Sequence, residues 1–457
     1  MTAQAPSDRA GNVEQFKIIG NKGNTIDLKA VEVEISYYEN VLSSTASAVI
    51  VLTETGMTDQ LGAKGVLDEL PIRGGEQVEL IIEDAQDQPN KLSFTGDDKS
   101  LYVNRVKDID PDTQKDVYLL DLCPKEVFTN EQTRVLKRYD GKVSDNVRKI
   151  LKEPLGGKEK DDHGLMTKKE VTVDDTIVPF NFIGNTRKPF WVCTWLASKG
   201  VPDTGKGGAA GYLFYETYDG FNFRAIDKLL EQKAKKNFIM TGTVDLPDGY
   251  DGKIDSISIK RVSDLHQNLL LGTYANRSLI LDYYAFDYRR RNYNIREDQK
   301  DKVKNAGKQD LTWVAEDFSQ GPSRIFTFVE DMGTLPSPKD DPKEQLKTWK
   351  NKPKEPTFDW RNTSVQSIMR YNQLFTETTD VMIKGDFSLR AGDMIQIDIA
   401  EISVDEKTKP PNRELSGIYM IASLCHRMTT DEVWTSLTLV RDTFGRKPIT
   451  GTEVAST

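Results

Sequence analysis

Short runs in which apolar and polar residues alternate fill the first part of the chain and predict β-strands. In "VEVEI", Val31, Val33 and Ile35 alternate with glutamates; "FKII" precedes this run, and "ASAVIVLT", "VELII", "LYVNRV" and "DVYLLDLC" follow it. A period of two places one face of each strand in a core. The pattern therefore predicts a small antiparallel barrel or sandwich over residues 13–125, after a polar, disordered lead-in over residues 1–12.

The middle of the chain has a helical period instead. In "VSDNVRKILKE", Val143, Val147 and Ile150 share one helical face, and "KPFWVCTWLASKG" places Pro189 in a first turn. "GYLFYETYDGFNFRAIDKLL" indicates strand, Asp-Gly turn, strand and helix. We therefore expect a separate α/β domain over residues 126–249.

The strand pattern returns after residue 250. "IDSISIK" and "RSLILDYYAFDY" come first, and "DVMIKGDFSLRAGDMIQIDI", "GIYMIASLCHRMT" and "VWTSLTLVRDTF" follow a charged stretch. We expect residues 250–288 with 358–443 to form a second barrel, residues 289–357 to be a charged insertion that returns to the middle domain, and 444–457 to be a C-terminal tail.

Two of these windows resemble each other at a constant offset of 317 residues. "PIRGGEQVELII" and "FSLRAGDMIQIDI" align Arg73 with Arg390 and Gly75 with Gly392. The apolar positions after the turns are Val78, Leu80 and Ile82 in the first copy and Ile395, Ile397 and Ile399 in the second. Glycine turns that lead into alternating strands are common in β-rich proteins, so one such window leaves coincidence open.

The offset persists along the chain, and this persistence favours a real repeat. It aligns Tyr102 with Tyr419 and Leu120 with Leu437; upstream, "VEVEI" and "AVIVLT" have candidate counterparts in "SISIK" and "SLILDY". Turn glycines and apolar parity are the features that two related barrels retain. Three such chains around a three-fold axis would present six similar barrels.

Composition and charge exclude several classes of function. Of the 457 residues 37% are hydrophobic and 29% charged, and the net charge of −9 argues against general nucleic-acid binding. No apolar run approaches the roughly 18 residues of a membrane span, and the polar start predicts no secretory signal. Cys123, Cys193 and Cys425 lie far apart, as in a protein of a reducing compartment without disulfides or a zinc site.

Motifs of catalysis are missing from the sequence. The three histidines, His163, His266 and His426, are isolated, and no metalloprotease, nucleophile-elbow or phosphate-loop motif occurs. "DIDPDTQKD" (108–116) lacks the glycine and the last glutamate of a calcium loop, and "YRRRNY" (288–293) is interpreted as a solvated edge or an interface anchor rather than a nucleic-acid site. We expect no enzyme activity, no catalytic or metal-binding residues and no cofactor.

Three phrases carry a resemblance to a known family. "LPIRGGEQVEL", "YLFYETYDGFNFRAIDKLL" and "GIYMIASLCHRMTTDEVWTSLTLVRDTF" resemble the baseplate central hub proteins of contractile-tailed, T-even-like bacteriophages, over most of residues 13–443. The resemblance implies a mainly β fold with two tube-type antiparallel barrels and an inserted α/β domain. It also implies a homotrimeric hollow cylinder in the virion tail baseplate, assembled in the host cytoplasm. The long charged stretch 289–357 departs from the family.

The same resemblance implies the partners. These are a hexamer of the tail tube protein, a trimer of the central spike protein, and the tape measure and baseplate wedge proteins; DNA passes through without specific binding, and the chain does not insert into a membrane. A non-binding channel predicts an acidic or neutral wall, for which Glu79, Gln396 and Asp398 are candidates, with Arg289 to Arg291 outside. A tail-associated peptidoglycan hydrolase, which needs an acid and a base in a cleft, and a type VI secretion spike, expected to continue into a β-repeat needle, are the alternatives.

Overall fold

The computed structural model describes residues 11–29, 31–54, 70–86, 88–111, 116–153, 164–177, 179–203, 209–242, 245–261, 264–282, 286–298, 303–309, 314–329, 339–351, 364–400 and 411–446. Within these residues the chain is mainly β, as the sequence predicts. None of the described helices is long and apolar enough to cross a bilayer. The predicted turn at 112–115, "GKGG" (205–208), His163 and residues 447–457 lie outside the described ranges.

The first barrel contains the strands that precede the helical region. Its elements are β1 (Asn12–Ile19), β2 (Thr25–Asp27), β3 (Glu32–Asn40), β4 (Ser47–Glu54), β5 (Gln77–Glu83), β6 (Lys91–Phe94), α1 (Gly96–Lys99), β7 (Leu101–Pro111) and β8 (Asp116–Pro124). Six of these strands lie side by side in the order β1-β5-β7-β8-β4-β3. Their alternate apolar side chains, among them Ile50, Leu80 and Leu120, are completely buried in one core.

The middle domain is a small α/β unit with its own aromatic core. Its elements are α2 (Lys125–Gln132), β9 (Arg138–Tyr139), α3 (Val143–Lys152), β10 (Glu170–Val173), β11 (Phe182–Ile183), α4 (Pro189–Ala197), β12 (Tyr212–Thr217), β13 (Gly220–Ala225) and α5 (Ile226–Leu230). Helices α3 and α4 bury Val147, Ile150 and Cys193 against the three-stranded sheet β10-β13-β12.

The rest of the chain contains the second barrel and a separate sheet. The elements are β14 (Asn237–Met240), β15 (Gly252–Arg261), α6 (Leu265–Leu271), β16 (Ala275–Asp282), β17 (Asp287–Asn294), α7 (Ile295–Asp298), α8 (Glu316–Ser319), β18 (Arg324–Val329), α9 (Pro342–Asn351), α10 (Ser364–Leu374), β19 (Glu377–Lys384), β20 (Met394–Ile399), β21 (Gly417–Met428) and β22 (Val433–Arg441). Strands β14, β20, β21, β22, β19 and β15 form a closed barrel of six strands.

Two predicted boundaries are wrong. Where it is described, the run that we expected in the second barrel instead forms the end of β16 and the start of β17. These strands and β18 form a three-stranded side sheet outside the second barrel, so β19, not "SLILDY", is the counterpart of β4. Conversely, Phe238 of β14, which we expected in the middle domain, lies in the core of the second barrel. Alternation alone shows that a strand has a buried face and does not show which core buries it.

The charged stretch 289–357 also differs from expectation where it is described. Tyr293, Ile295 and Val314 pack with Tyr274 and Met369 in a small core beside the side sheet, rather than in the middle domain. The helix α10, which leads back into the second barrel, contacts both α6 and β22. This stretch therefore contributes to a fourth, smaller packing unit beside the two barrels and the middle domain.

The repeat is visible in the order of the strands. The first barrel has the order β1-β5-β7-β8-β4-β3, and the second has β14-β20-β21-β22-β19-β15. One difference is that β14 runs parallel to both of its neighbours, whereas β1 is antiparallel to β5. The second barrel is therefore not purely antiparallel, because β14 enters it directly from the middle domain.

The register corrects one residue of the predicted alignment. Val78 pairs with Leu101, and its equivalent Ile395 pairs with Tyr419, so Tyr419 matches Leu101 and not Tyr102. A slip of one residue moves a side chain to the other face of a strand. The buried partner of Tyr419 in the repeat is accordingly Leu101.

Candidate functional surface

The two barrels share one continuous sheet, and the side of that sheet opposite the cores is the candidate functional surface. Strand β21 is long enough to serve both barrels: Gly417 to Met420 pair with β20, and Ser423 to Met428 pair with β3 of the first barrel. We call the side chains that point away from the two barrel cores the outer face. The sheet has fourteen strands in total.

The backbone register shows that the outer face crosses from one barrel to the other without a break. A single row of paired residues runs from β7 through β8, β4, β3, β21 and β22 to β19. In that order the residues are Arg105, Asp121, Val49, Ser36, Arg427, Trp434 and Lys384. This surface therefore belongs to neither barrel alone.

Charged groups on the outer face are matched with opposite charges. Asp121 accepts ion pairs from Arg105 at 2.8 Å and from Lys107 at 2.6 Å. The pair between Arg427 and Glu34, at 2.6 Å, crosses the junction between the barrels. Pairs this exposed stabilise the fold by at most about 1 kcal/mol each. Their main consequence is a surface whose positive charges are locally neutralised.

A depression of about 510 Å³ lies on the outer face at the junction. Its lining comes from β3, β15, β19, β21 and β22 and includes Tyr38, Ser256, Met382, Cys425 and Thr438. Cys425 is half-buried there, whereas Cys123 and Cys193 are buried. The lining is largely made of small hydroxyl and apolar side chains, with Asp380 as a partly exposed acid, and it includes no lysine or arginine.

Equivalent glycine turns hold the two barrels in the same conformation. Gly75 has a φ of 88° and Gly392 a φ of 89°, a region that favours glycine. In each turn an acid accepts a hydrogen bond from the backbone three residues earlier: Glu76 from the Arg73 N–H at 3.0 Å, and Asp393 from the Arg390 N–H at 2.9 Å. The aligned phrases "RGGE" and "RAGD" are thus the same turn.

The turn of the second barrel meets the middle domain and the first barrel at one buried carboxylate. Glu39 of β3 accepts hydrogen bonds from the Tyr218 N–H at 2.7 Å and the Ala391 N–H at 2.8 Å. Burial raises the pKa of Glu39 to about 7, although nearby Arg390 opposes the shift. Arg390 itself pairs with Asp219 at 3.1 Å. The phrase "FYETYDGFNF" therefore supplies the contact that locks the three units together.

A second buried acid ties the first barrel to the middle domain. Glu216 accepts a hydrogen bond from the Ala46 N–H at 3.1 Å and an ion pair from Lys169 at 2.5 Å. Lys169 also lies 3.2 Å from Glu126. Burial raises the pKa of Glu216 to about 6. Because Lys169 pairs with both Glu126 and Glu216, the three side chains form one buried ion-pair network with a structural role.

The remaining candidates from the sequence lie in structural positions. His426 is buried, its Nδ1 lies 2.9 Å from the Thr435 hydroxyl, and burial lowers its pKa to about 3. His266 is exposed on α6, and the arginines of "YRRRNY" lie on β17 of the side sheet, away from the outer face. Among the described residues no group of three or more histidines, cysteines or acids could hold a metal.

Two of the three predicted channel residues do not reach the outer face. Gln396 and Asp398 are buried within the chain, where Asp398 pairs with Arg446 at 2.8 Å and accepts a hydrogen bond from Tyr250 at 2.7 Å. That expectation is wrong because residues beyond the repeat cover this part of β20. Glu79 is half-exposed and accepts a hydrogen bond from Gln15 on the neighbouring strand.

The junction residues Glu39 and Glu216 were missed by sequence reasoning. Glu39 had a signal, because it shares the parity of the buried Ile35 and Tyr37 on β3, whereas Glu216 lies in a strand that is buried on both faces. Arg390 also had a signal, since the repeat aligns it with Arg73. The partners of these residues could not be identified from the sequence, because they are distant in the chain.

Comparisons with known proteins find similarity in solved structures alone. No family model matches the chain, and no curated protein matches it. The tail protein from Neisseria meningitidis MC58 has a TM-score of 0.49 and 11% identity, and the match covers 95% of this chain and 97% of that one. The 43 kDa tail protein of prophage MuSo2 from Shewanella oneidensis has a TM-score of 0.47 and 10% identity, with 94% and 98% covered.

A third neighbour comes from a secretion system. The E. coli c3393 protein, a component of the type VI secretion system with structural similarity to the T4 tail proteins gp27 and gp5, has a TM-score of 0.39 and 10% identity, with 95% of this chain and 79% of that one covered. The structural neighbours of the chain are thus phage tail and type VI secretion proteins, at low sequence identity.

Proposed function

We propose that the chain is a structural hub of a phage tail baseplate, in which three copies surround a channel lined by their outer faces. The observation that supports this most is the repeat itself: two barrels of equal strand order share one continuous sheet. Three copies would present six similar barrels, a surface that fits a hexameric tube on one side and a trimeric spike on the other.

The charges of the outer face support passage of DNA without retention. Its arginines and lysines at positions 105, 107 and 427 are paired with acids, which makes these three cations less available to phosphates. Non-specific DNA binding depends on such contacts and releases counterions in proportion to their number. We therefore expect DNA to pass along the outer face without being bound by it.

The first test is the mass of the assembly. A chain of 51.6 kDa should give a particle of about 155 kDa in native mass spectrometry if three copies associate. A monomer at every micromolar concentration, including after addition of a spike protein, would contradict the proposal.

The second test replaces negative charges on the outer face by positive ones. Replacing Asp121 and Asp380, both on the outer face, by lysine leaves its cations unpaired and should make the assembly retain duplex DNA on a filter at 150 mM salt. The matched control, Asp145→Lys with Asp340→Lys, makes the same charge change at exposed helical and turn positions elsewhere. Equal retention by both pairs would show that the outer face does not surround the DNA.

A further inference from the structure

The two edges of the side sheet are protected very differently. Strand β17, on one edge, carries Arg289, Arg290 and Arg291, and β18, on the other edge, reads "RIFTFV". An edge strand exposes unpaired backbone N–H and C=O groups, and natural proteins normally blunt it with charges, prolines or bulges. The arginines of β17 protect its edge in this way, whereas the five residues of β18 after Arg324 include no charged residue and no proline.

The apolar side chains of β18 are also exposed. Ile325 is 59% and Val329 51% accessible to solvent, and among the described strands β18 pairs with β16 alone. On the opposite side of the strand Phe326 and Phe328 are half-buried, with their rings stacked 6.2 Å apart. A strand added at this edge would extend an apolar surface on both faces of the sheet.

The charges near β18 give the added strand a polarity. Arg324 begins the strand at the edge, whereas Arg277, the cross-strand neighbour of Ile325, lies further in on β16 and donates a hydrogen bond to Asn292 of β17. At the other end, Val329 pairs with Leu281, which pairs in turn with Tyr288, so that end of the face is apolar. A segment that docks here would carry a carboxylate beside Arg324 and apolar side chains beside Val329.

No described edge of this chain fits that description. Strands β2, β6, β9, β10 and β11 are four residues or shorter, β12 is completely buried, and β17 is arginine-rich and would repel Arg324. We infer that β18 is a docking edge for an extended segment of a different protein, at least five residues long, apolar at alternate positions and acidic at one end. The inference is independent of the three-fold assembly.

Designed peptides test the docking edge directly on the full-length chain. One probe is an eight-residue peptide of alternating valine and threonine with glutamates at its N-terminal end, and a second carries the glutamates at its C-terminal end, so that both strand directions are covered. The same peptides with N-methyl groups on alternate amides cannot complete a ladder and serve as negative probes. We expect one acidic probe to slow hydrogen exchange of the β18 amides at least fivefold, and its methylated form to have no effect.

A substitution localises the effect. Val329→Lys places a charge at the apolar end of the edge, where Val329 is 51% exposed, and should weaken the probe's binding at least tenfold in fluorescence titration. Phe318→Lys, on α8 at a comparably exposed position of 53%, is the matched control and should bind as the unchanged protein does. Equal binding by Val329→Lys, or full protection of the β18 amides before any peptide is added, would overturn the inference. Dissociation of a wild-type dimer by Val329→Lys would instead assign the edge to a second copy and also overturn it.

Discussion

The two barrels have the same order of six strands but differ in how the ring of strands is closed. In the second barrel β14 joins β15 to β20, so the ring closes on itself. In the first, the outer strand β3 pairs with β21 of the second barrel. Phe387, Met428 and Val433 of the second barrel also lie in the core of the first. The second barrel is thus self-contained, and the first depends on it for one wall.

This dependence predicts unequal consequences for matched core substitutions. Leu80 and Ile397 lie at equivalent, fully buried positions, and an aspartate at either should cost more than about 4 kcal/mol because it buries an unpaired carboxylate. Ile397→Asp should unfold both barrels, since β21 loses its place. Leu80→Asp should unfold the first barrel and leave the second protected.

Hydrogen exchange resolved to β4 and β22 measures this difference. Loss of protection in β22 of the Leu80→Asp variant, to the same extent as in Ile397→Asp, would show that the two barrels depend on each other equally.

The second barrel also contains a buried ion pair for which the first has no equivalent. Arg441 pairs with Glu377 at 2.6 Å, and the position that matches Arg441 in the first barrel is Pro124. Arg441→Met should cost about 3–5 kcal/mol in urea unfolding, because it leaves a buried carboxylate without its partner. The double replacement with Glu377→Met should recover part of that loss. A double variant as unstable as the sum of the single ones would mean that the two residues act independently.

The contact between the barrels should titrate. The pKa of Glu39 is about 7 in the folded chain against 4.5 for a free glutamate, so the folded state holds the extra proton between these values. The stabilisation that protonated Glu39 gives the folded state is therefore complete below pH 4.5 and is lost as the pH rises through 7. A shift of this size corresponds to about 3 kcal/mol.

Glu39→Gln removes this titration. Relative to the variant, the unchanged protein should lose about 3 kcal/mol of unfolding free energy between pH 4.5 and pH 8. Glu34→Gln, on the opposite face of β3, controls for the general effect of replacing a glutamate of this strand. Because the difference between two chains is measured, other groups such as His426 cancel. A constant difference across the pH range would contradict the assignment.

The paired glycine turns predict unequal effects, and that of Gly75 is the smallest expected. Gly75→Ala should cost about 1 kcal/mol, the strain of a positive φ, since its new Cβ would meet the Asn21 side chain at a tolerable 3.4 Å. Gly392→Ala should cost more, about 3 kcal/mol, because its Cβ would lie 2.2 Å from the Tyr215 hydroxyl and force that buried ring to move. Equal losses in thermal unfolding would show that Tyr215 moves freely.

The mainly β class, the glycine turns and most of the repeat could be predicted from local sequence patterns. These features are local: alternation requires a sheet with one buried face, and a turn with a φ near 88° favours glycine. Val78 and Ile395 are buried as the pattern predicts, although Ile399, at the end of its strand, is half-buried.

The tertiary structure alone decided which strands pair and which acids are buried. "SLILDY" alternates as well as β19 does, yet it lies in the side sheet, because pairing depends on the path of the chain between strands. Asp398 has the parity of an outer-face residue and Glu39 that of a core residue, yet contacts from elsewhere in the chain bury both acids: Arg446 covers the first, and the "ETYDG" turn covers the second. Contacts between residues far apart in the chain leave no periodic trace, so only the folded structure shows them.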